Sequence, residues 1–137
     1  MTIILQKNIL LSLGIPTPEF LIYEPGASLL NWVEGLKSKW PRGCVLKWAR
    51  GGYDGKGVTK LVNPHYLEKA FDAPSVLERF VDFDKELSVI VARSESGEVK
   101  CFPVVECEFN PEANLVEFLF SPANVKKSVE KQAYDIA

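Results

Sequence analysis

Histidine is nearly absent from this chain of 137 residues, His65 being its one example. Any catalytic or metal-binding cluster built on imidazole therefore has a single candidate. Cysteine is scarce too: Cys44, Cys101 and Cys107 form an odd set without Cys-x-x-Cys spacing. A zinc shell would need carboxylates to complete it, and a Cys–His nucleophilic pair would have to use His65. The plainer reading is three reduced thiols packed as small hydrophobes in a cytoplasmic protein. An excess of one charge is also missing. The 16 Lys+Arg and 18 Asp+Glu leave a net charge of −2, whereas nucleic-acid readers usually carry a basic excess. No apolar run approaches the ~18 residues of a membrane span. Lys7 and Asn8 interrupt Ile3-Ile4-Leu5 too early for the hydrophobic region of a signal peptide. Nucleic acid and membrane are thus not expected partners.

What is present reads as an ordinary globular domain, with 47% hydrophobic and 25% charged residues. Its length suits one core and not two. Ile3/Leu10 and Ile4/Leu11 predict a helix over about 3–13, closed by Gly14. Ile15-Pro16-Thr17-Pro18 forbids its continuation, and Phe20–Tyr23 follows as a short strand. Leu29, Trp32, Val33, Leu36 and Trp40 fall on one helical stripe. Strands are expected at Cys44–Trp48 and Val58–Val62, then a short helix over Pro64–Phe71.

From Val76 the texture changes. Val76–Val81, Leu87–Arg93, Val99–Phe109 and Leu115–Phe120 predict successive strands of an antiparallel meander. Ser94–Gly97 and Asn110–Asn114 are its turns. Ser121-Pro122 opens a last helix, with proline at its first position and Val125, Val129, Ala133 and Ile136 as its stripe. That stripe runs to Ala137, which suggests a fragment of a longer protein. The fold class expected is α+β in two linked pieces. Residues to about 75 form a small lobe, and residues from about 76 start a larger antiparallel lobe.

The stretch from Leu46 to Gly57 carries the most chemistry. Gly51, Gly52, Gly55 and Gly57 let the backbone turn sharply and approach another group closely. Successive backbone N–H groups in such a loop can cradle an anion. Lys47, Arg50 and Lys56 lie in or beside it, and together these features suit a polyphosphate. A Walker loop fails, because Gly55-Lys56 is followed by Gly57 and a strand. A dinucleotide fingerprint fails because no helix follows. There remains a glycine-rich lid between two antiparallel strands, or else a long solvated hairpin loop. Lys47 shares its strand face with Val45, so it either snorkels or meets an anion. Glu78 and Glu86 form a second candidate pair that could accept hydrogen bonds from a nucleoside. The plainer reading of Glu78 is an edge-strand acid paired with Arg79 or Lys85.

Several blocks recur together in one known family. They are Leu13-Gly14-Ile15-Pro16-Thr17-Pro18, Lys47, Arg50-Gly51-Gly52-Tyr53-Asp54-Gly55-Lys56-Gly57, Glu86–Arg93 and Phe102-Pro103-Val104-Val105-Glu106. In order and spacing the chain resembles the 5-(carboxyamino)imidazole ribonucleotide synthetases of the ATP-grasp superfamily, the ATPase component of phosphoribosylaminoimidazole carboxylase. The resemblance covers essentially the whole chain but only the middle of a protein more than twice as long. It implies a partial ATP-grasp fold and a ligase that carboxylates 5-aminoimidazole ribonucleotide with bicarbonate and ATP in purine biosynthesis. A carboxyphosphate intermediate, magnesium and a homodimer of the full-length protein are implied with it.

For the site, the resemblance implies that Lys47 contacts the nucleotide. Gly52, Tyr53, Asp54, Gly55, Lys56, Gly57 and Val58 would form the lid over the phosphates. Tyr53 and Asp54 would also face the imidazole substrate. Glu78, Arg79, Phe80 and Val81 would be the adenine hinge, and Glu86 would hold the ribose. Many members carry a histidine where this chain has Phe109. The metal-binding carboxylates are expected beyond Ala137, so no complete catalytic set is expected here, and the chain alone is expected to be inactive. Another ATP-grasp ligase, or a non-catalytic nucleotide-binding module, are the competing readings.

Overall fold

The computed structural model describes residues 2–26, 28–52, 57–62, 70, 72–110 and 115–137. These fall into two units, one ending at Asp82 and one starting at Phe83. Helices and antiparallel sheets make up both, an α+β architecture.

The first unit is built on a four-stranded antiparallel sheet. Its strands are β1 (Phe20–Tyr23), β2 (Cys44–Trp48), β3 (Val58–Leu61) and β4 (Ser75–Arg79), in spatial order β1-β4-β2-β3. Alternation along β2 sets what each face does, because successive side chains point to opposite sides. Cys44 and Leu46 are buried on one face, opposite Leu61 of β3 and Leu77 of β4. Tyr23 and Trp40 complete that core. Helix α2 (Leu29–Leu36) packs Leu29, Trp32, Val33 and Leu36 against it, and Trp32 meets the Tyr23 ring edge-on at 6.1 Å. Fully buried members of this core such as Leu46, Leu61 and Leu77 each contribute roughly 1.5–3 kcal/mol.

Helix α2 starts at a Ser28 cap, whose Oγ accepts from the Asn31 amide at 3.3 Å. It ends four residues before Trp40, the last member of the stripe read from the sequence. Tighter turns carry the chain on, with the Trp40 amide bonding the Leu36 carbonyl at 2.7 Å, so Trp40 still reaches the core.

The opposite face carries Phe20, Val45, Lys47, Val58, Val76 and Glu78 by register. Helix α1 (Ile3–Ser12) lies against it, capped by Thr2. Strand β4 is therefore interior to the sheet and buried on both faces from Ser75 to Glu78. This corrects the sequence reading, which began the larger lobe near residue 76. Strand β4 pairs with β1 and β2, so it belongs to the first sheet, and the division falls after Asp82.

In the second unit, β5 (Glu86–Ser88), β8 (Val105–Phe109) and β9 (Val116–Phe120) form a sheet in the order β5-β8-β9. Strands β6 (Val91–Arg93) and β7 (Val99–Cys101) make a separate hairpin. The expected meander is thus corrected: β5 pairs with β8 across the intervening hairpin. The expected strand Val99–Phe109 is interrupted around Pro103, which has no N–H to give a ladder. Helix α3 (Lys127–Ile136) begins later than Pro122, so Pro122 and Val125 precede the helix they were expected to open and stripe. The predicted helix Pro64–Phe71 lies, apart from Ala70, outside the described residues.

Candidate functional site

Strand β2 carries Lys47 to the face that α1 covers, and strand β4 carries Glu78 to the same face from the neighbouring strand. Val45 is the register partner of Glu78, so Lys47 sits diagonally from it. The Lys47 Nζ donates to Glu78 Oε2 at 2.7 Å. The other carboxylate oxygen, Oε1, lies 2.8 Å from the Nζ of Lys7 on α1. That second contact is an ion pair without hydrogen-bond alignment. Lys7 instead donates to Thr17 Oγ1 at 2.6 Å, and its ammonium stands 5.5 Å from the centre of the Phe20 ring.

The cluster is buried. The Lys7 and Glu78 side chains are 8% and 5% exposed, while that of Lys47 is 32% exposed. Two ammonium groups meet one carboxylate, which leaves a net positive charge with Lys47 on its open side. Removing such charges from water costs several kcal/mol each unless partners replace the hydration. A partly exposed ammonium backed by a second one, beside the start of a glycine-rich segment, is suited to an anion.

The structure thus answers two questions the sequence left open. Lys47 meets an anion, and that anion is a carboxylate of the chain itself. Glu78 is neither at a sheet edge nor paired with Arg79 or Lys85. Interior placement in β4 gives it Lys7 and Lys47, while Lys85 pairs with Glu106 in the second unit. Lys7 was missed because, in sequence, it only interrupts an apolar run. Its one signal is a charge at the centre of a helix whose other residues are mostly apolar.

The remaining candidates are spread along the chain. Arg50 and Gly52 are exposed where the glycine-rich segment leaves β2. Tyr53, Asp54, Gly55 and Lys56 lie outside the described residues. Gly57 returns to the sheet, its carbonyl accepting from the Trp48 amide at 2.8 Å, and Val58 is the register partner of Lys47. Beyond Glu78, the Arg79 amide donates to the Glu19 carbonyl at 2.8 Å and the Phe80 amide to the Gly43 carbonyl at 3.1 Å. Val81 is exposed. Glu86 opens β5 in the second unit, where Cys107 is its register partner. Burial first, and then the Glu86 charge, push the Cys107 thiol above its ordinary value. Phe109 ends β8 beside a register shift.

Among the described residues, no group of three or more His, Cys, Asp or Glu could hold a metal ion. The magnesium implied by the resemblance therefore finds no ligand set among them. No helix among them is long and apolar enough to cross a membrane.

Comparison with known proteins gives this geometry its family. The chain is 35% identical, over 96% of its length, to the N5-carboxyaminoimidazole ribonucleotide synthase of Synechococcus elongatus, and covers 33% of that protein. It is 34% identical to the Bacillus subtilis enzyme of the same name, again over 96% of the chain and 34% of the relative. Among solved structures, an ADP complex of N5-carboxyaminoimidazole ribonucleotide synthetase matches with a TM-score of 0.80 and 30% identity, over 96% of this chain and 34% of that one. The chain therefore spans about a third of the length of these relatives. The ATP-grasp domain matches residues 8–137, most of the sequence, and the chain belongs to the ATP-grasp domain family.

Proposed function

We propose that this chain is the nucleotide-binding part of a cytoplasmic ligase that carboxylates 5-aminoimidazole ribonucleotide with bicarbonate and ATP. One observation carries the reading: Lys7 and Lys47 converge on buried Glu78, beside a glycine-rich segment that joins β2 to β3. A surplus of positive charge at that point suits the phosphates of ATP. The glycine-rich segment, Gly52 to Val58, would close over them, with Tyr53 and Asp54 reaching the imidazole substrate. Likeness to proteins named for making the carboxyamino product supports that choice of substrate.

Glu78 to Val81 would take the adenine through main-chain groups. The Arg79 and Phe80 amides already donate within the unit, so the base would be read through other backbone groups of 78–81. Glu86 would hold the ribose hydroxyls. Magnesium finds no ligand set among the described residues; when bound it would neutralise the charge that develops as a phosphoryl group moves to bicarbonate.

Phosphate release tests the reading, measured with ATP, magnesium, bicarbonate and 5-aminoimidazole ribonucleotide. The 137-residue chain is compared with a form extended to the length of its relatives. The extended protein should turn over only when all substrates are present, and the chain alone should not. Turnover by the extended protein that ignores 5-aminoimidazole ribonucleotide would rule out the proposed substrate.

A further inference from the structure

Glu78 has one more consequence, at the level of its side chain and not of its backbone. We infer that its carboxylate is a positioning residue that tethers Lys47, with enclosed Lys7 as the counter-charge behind it, so that the Lys47 ammonium faces the phosphates of a bound nucleotide. The inference rests on the nucleotide reading above.

Each carboxylate oxygen takes a different lysine, Oε1 that of α1 and Oε2 that of β2. These lysines come from different elements, and neither element fixes its long, flexible side chain by itself. Around the carboxylate stand Phe20 from β1 and Val45 from β2 as register partners. Thr17 holds the Lys7 ammonium from the loop before β1. No water-filled space is needed to account for these contacts; the lysines are held by the carboxylate and one hydroxyl.

Simple Coulomb reasoning would make Glu78 a competitor of the phosphates, since it brings a negative charge beside an anion site. Burial reverses the expectation. Without the carboxylate, two ammonium groups share a site where Lys7 is almost wholly enclosed. Their mutual repulsion then drives them apart, and the paired arrangement is lost. Tethering and competition therefore predict opposite signs for the same substitution.

The test uses the 137-residue chain with Glu78→Gln and Glu78→Asp, titrated calorimetrically with ATP and with adenosine. Glu78→Gln should weaken ATP about tenfold or more and adenosine by much less, because adenosine makes no use of a lysine that faces the phosphates. Glu78→Asp keeps the charge but is one methylene shorter, so it should restore only part of the loss. Should Glu78→Gln fail to fold by circular dichroism, Glu78→Asp carries the comparison. ATP binding by Glu78→Gln as tight as the parent's, or tighter, would overturn the tether. A ligand-free measurement separates this from the nucleotide reading. Carbon-13 signals of the Lys7 and Lys47 ε-methylenes should both move in Glu78→Gln, while that of Lys37, which pairs with Glu34, stays. If either fails to move, the tether is wrong whatever binds. If the parent chain does not distinguish ATP from adenosine, the nucleotide reading fails, and the ligand-free spectra alone decide the tether.

Discussion

Gly57 lies against the indole of Trp48, and a methyl group on its α-carbon would stand 2.7 Å from Cε3 and 2.9 Å from Cδ2 of that ring. Its φ of +75° is also one that L side chains rarely adopt. The last glycine of the glycine-rich segment is thus required by packing, independently of any ligand. Gly57→Ala should destabilise the chain by about 1–3 kcal/mol, from backbone strain and displacement of Trp48. Urea unfolding followed by tryptophan emission would check it, and parental stability would show that the ring moves aside freely. A loss of nucleotide binding in this variant would therefore say nothing of phosphate contacts without that measurement.

Cys44 provides a pH test of the core. Burial pushes its thiol up to about 11 from an ordinary 9.0. As pH rises past 9 the unfolded chain gives up this proton while the folded chain keeps it, so stability falls. The loss should begin near pH 9, level off above about 11, and total about 2–3 kcal/mol. Cys44→Ala should remove this part of the alkaline limb in unfolding curves between pH 8 and 11. In maleimide labelling at neutral pH, exposed Cys101 should react well before Cys44, which is 1% exposed. Labelling of Cys44 at the rate of Cys101 would contradict its place in the core.

Much of the first unit was legible because its signals are local. The α2 stripe from Leu29 to Leu36 and the alternation of Cys44 to Trp48 each depend on neighbours a few residues away. The place of β4 was not legible. Val76 and Leu77 read as a strand, but only pairing with Phe20–Tyr23 and Cys44–Trp48 makes it interior to the first sheet. With that placement hidden, Glu78 looked like an edge acid and Lys7 only like a break in an apolar run. Their contact joins a helix near the N-terminus to a strand far along the chain, and nothing in either segment alone points to the other. Lys47 was found because a charge inside a short apolar strand is a local anomaly.

Acid should loosen the turns after α2 before it unfolds the sheet. Glu19 accepts from Lys39 and, at 3.1 Å, from Trp40 Nε1. Those two hydrogen bonds, Lys39 first, hold its carboxyl below the ordinary 4.5. A lowered folded value means the contribution is whole above 4.5 and is lost as pH falls through the folded value. Glu19 is solvent-exposed, so salt should weaken the effect further. Its carboxyl carbon-13 signal should titrate with a midpoint below 4.5, and Glu19→Gln should remove the matching change in Trp40 environment. A midpoint at or above 4.5 would show that the two bonds do not form in solution.

The buried cluster also predicts an order of stabilities. Lys7→Met leaves Glu78 paired with Lys47, and Lys47→Met leaves it paired with Lys7, so in each case the carboxylate keeps one partner. Glu78→Gln leaves two ammonium groups with a neutral amide, the worse residue of charge in a site this enclosed. Breaking a buried pair outright costs about 3–5 kcal/mol. The single lysine variants should therefore lose roughly 1.5–3 kcal/mol, the order of one charge-assisted contact, and Glu78→Gln more than either. Lys7→Met should cost more than Lys47→Met, because Lys7 is the more buried and also holds Thr17. Guanidinium unfolding of the three variants measures the ranking directly, since high salt screens exposed charges far more than buried ones. Equal and small losses across all three would mean that the cluster is solvated, and the tether of the two lysines would fall with it.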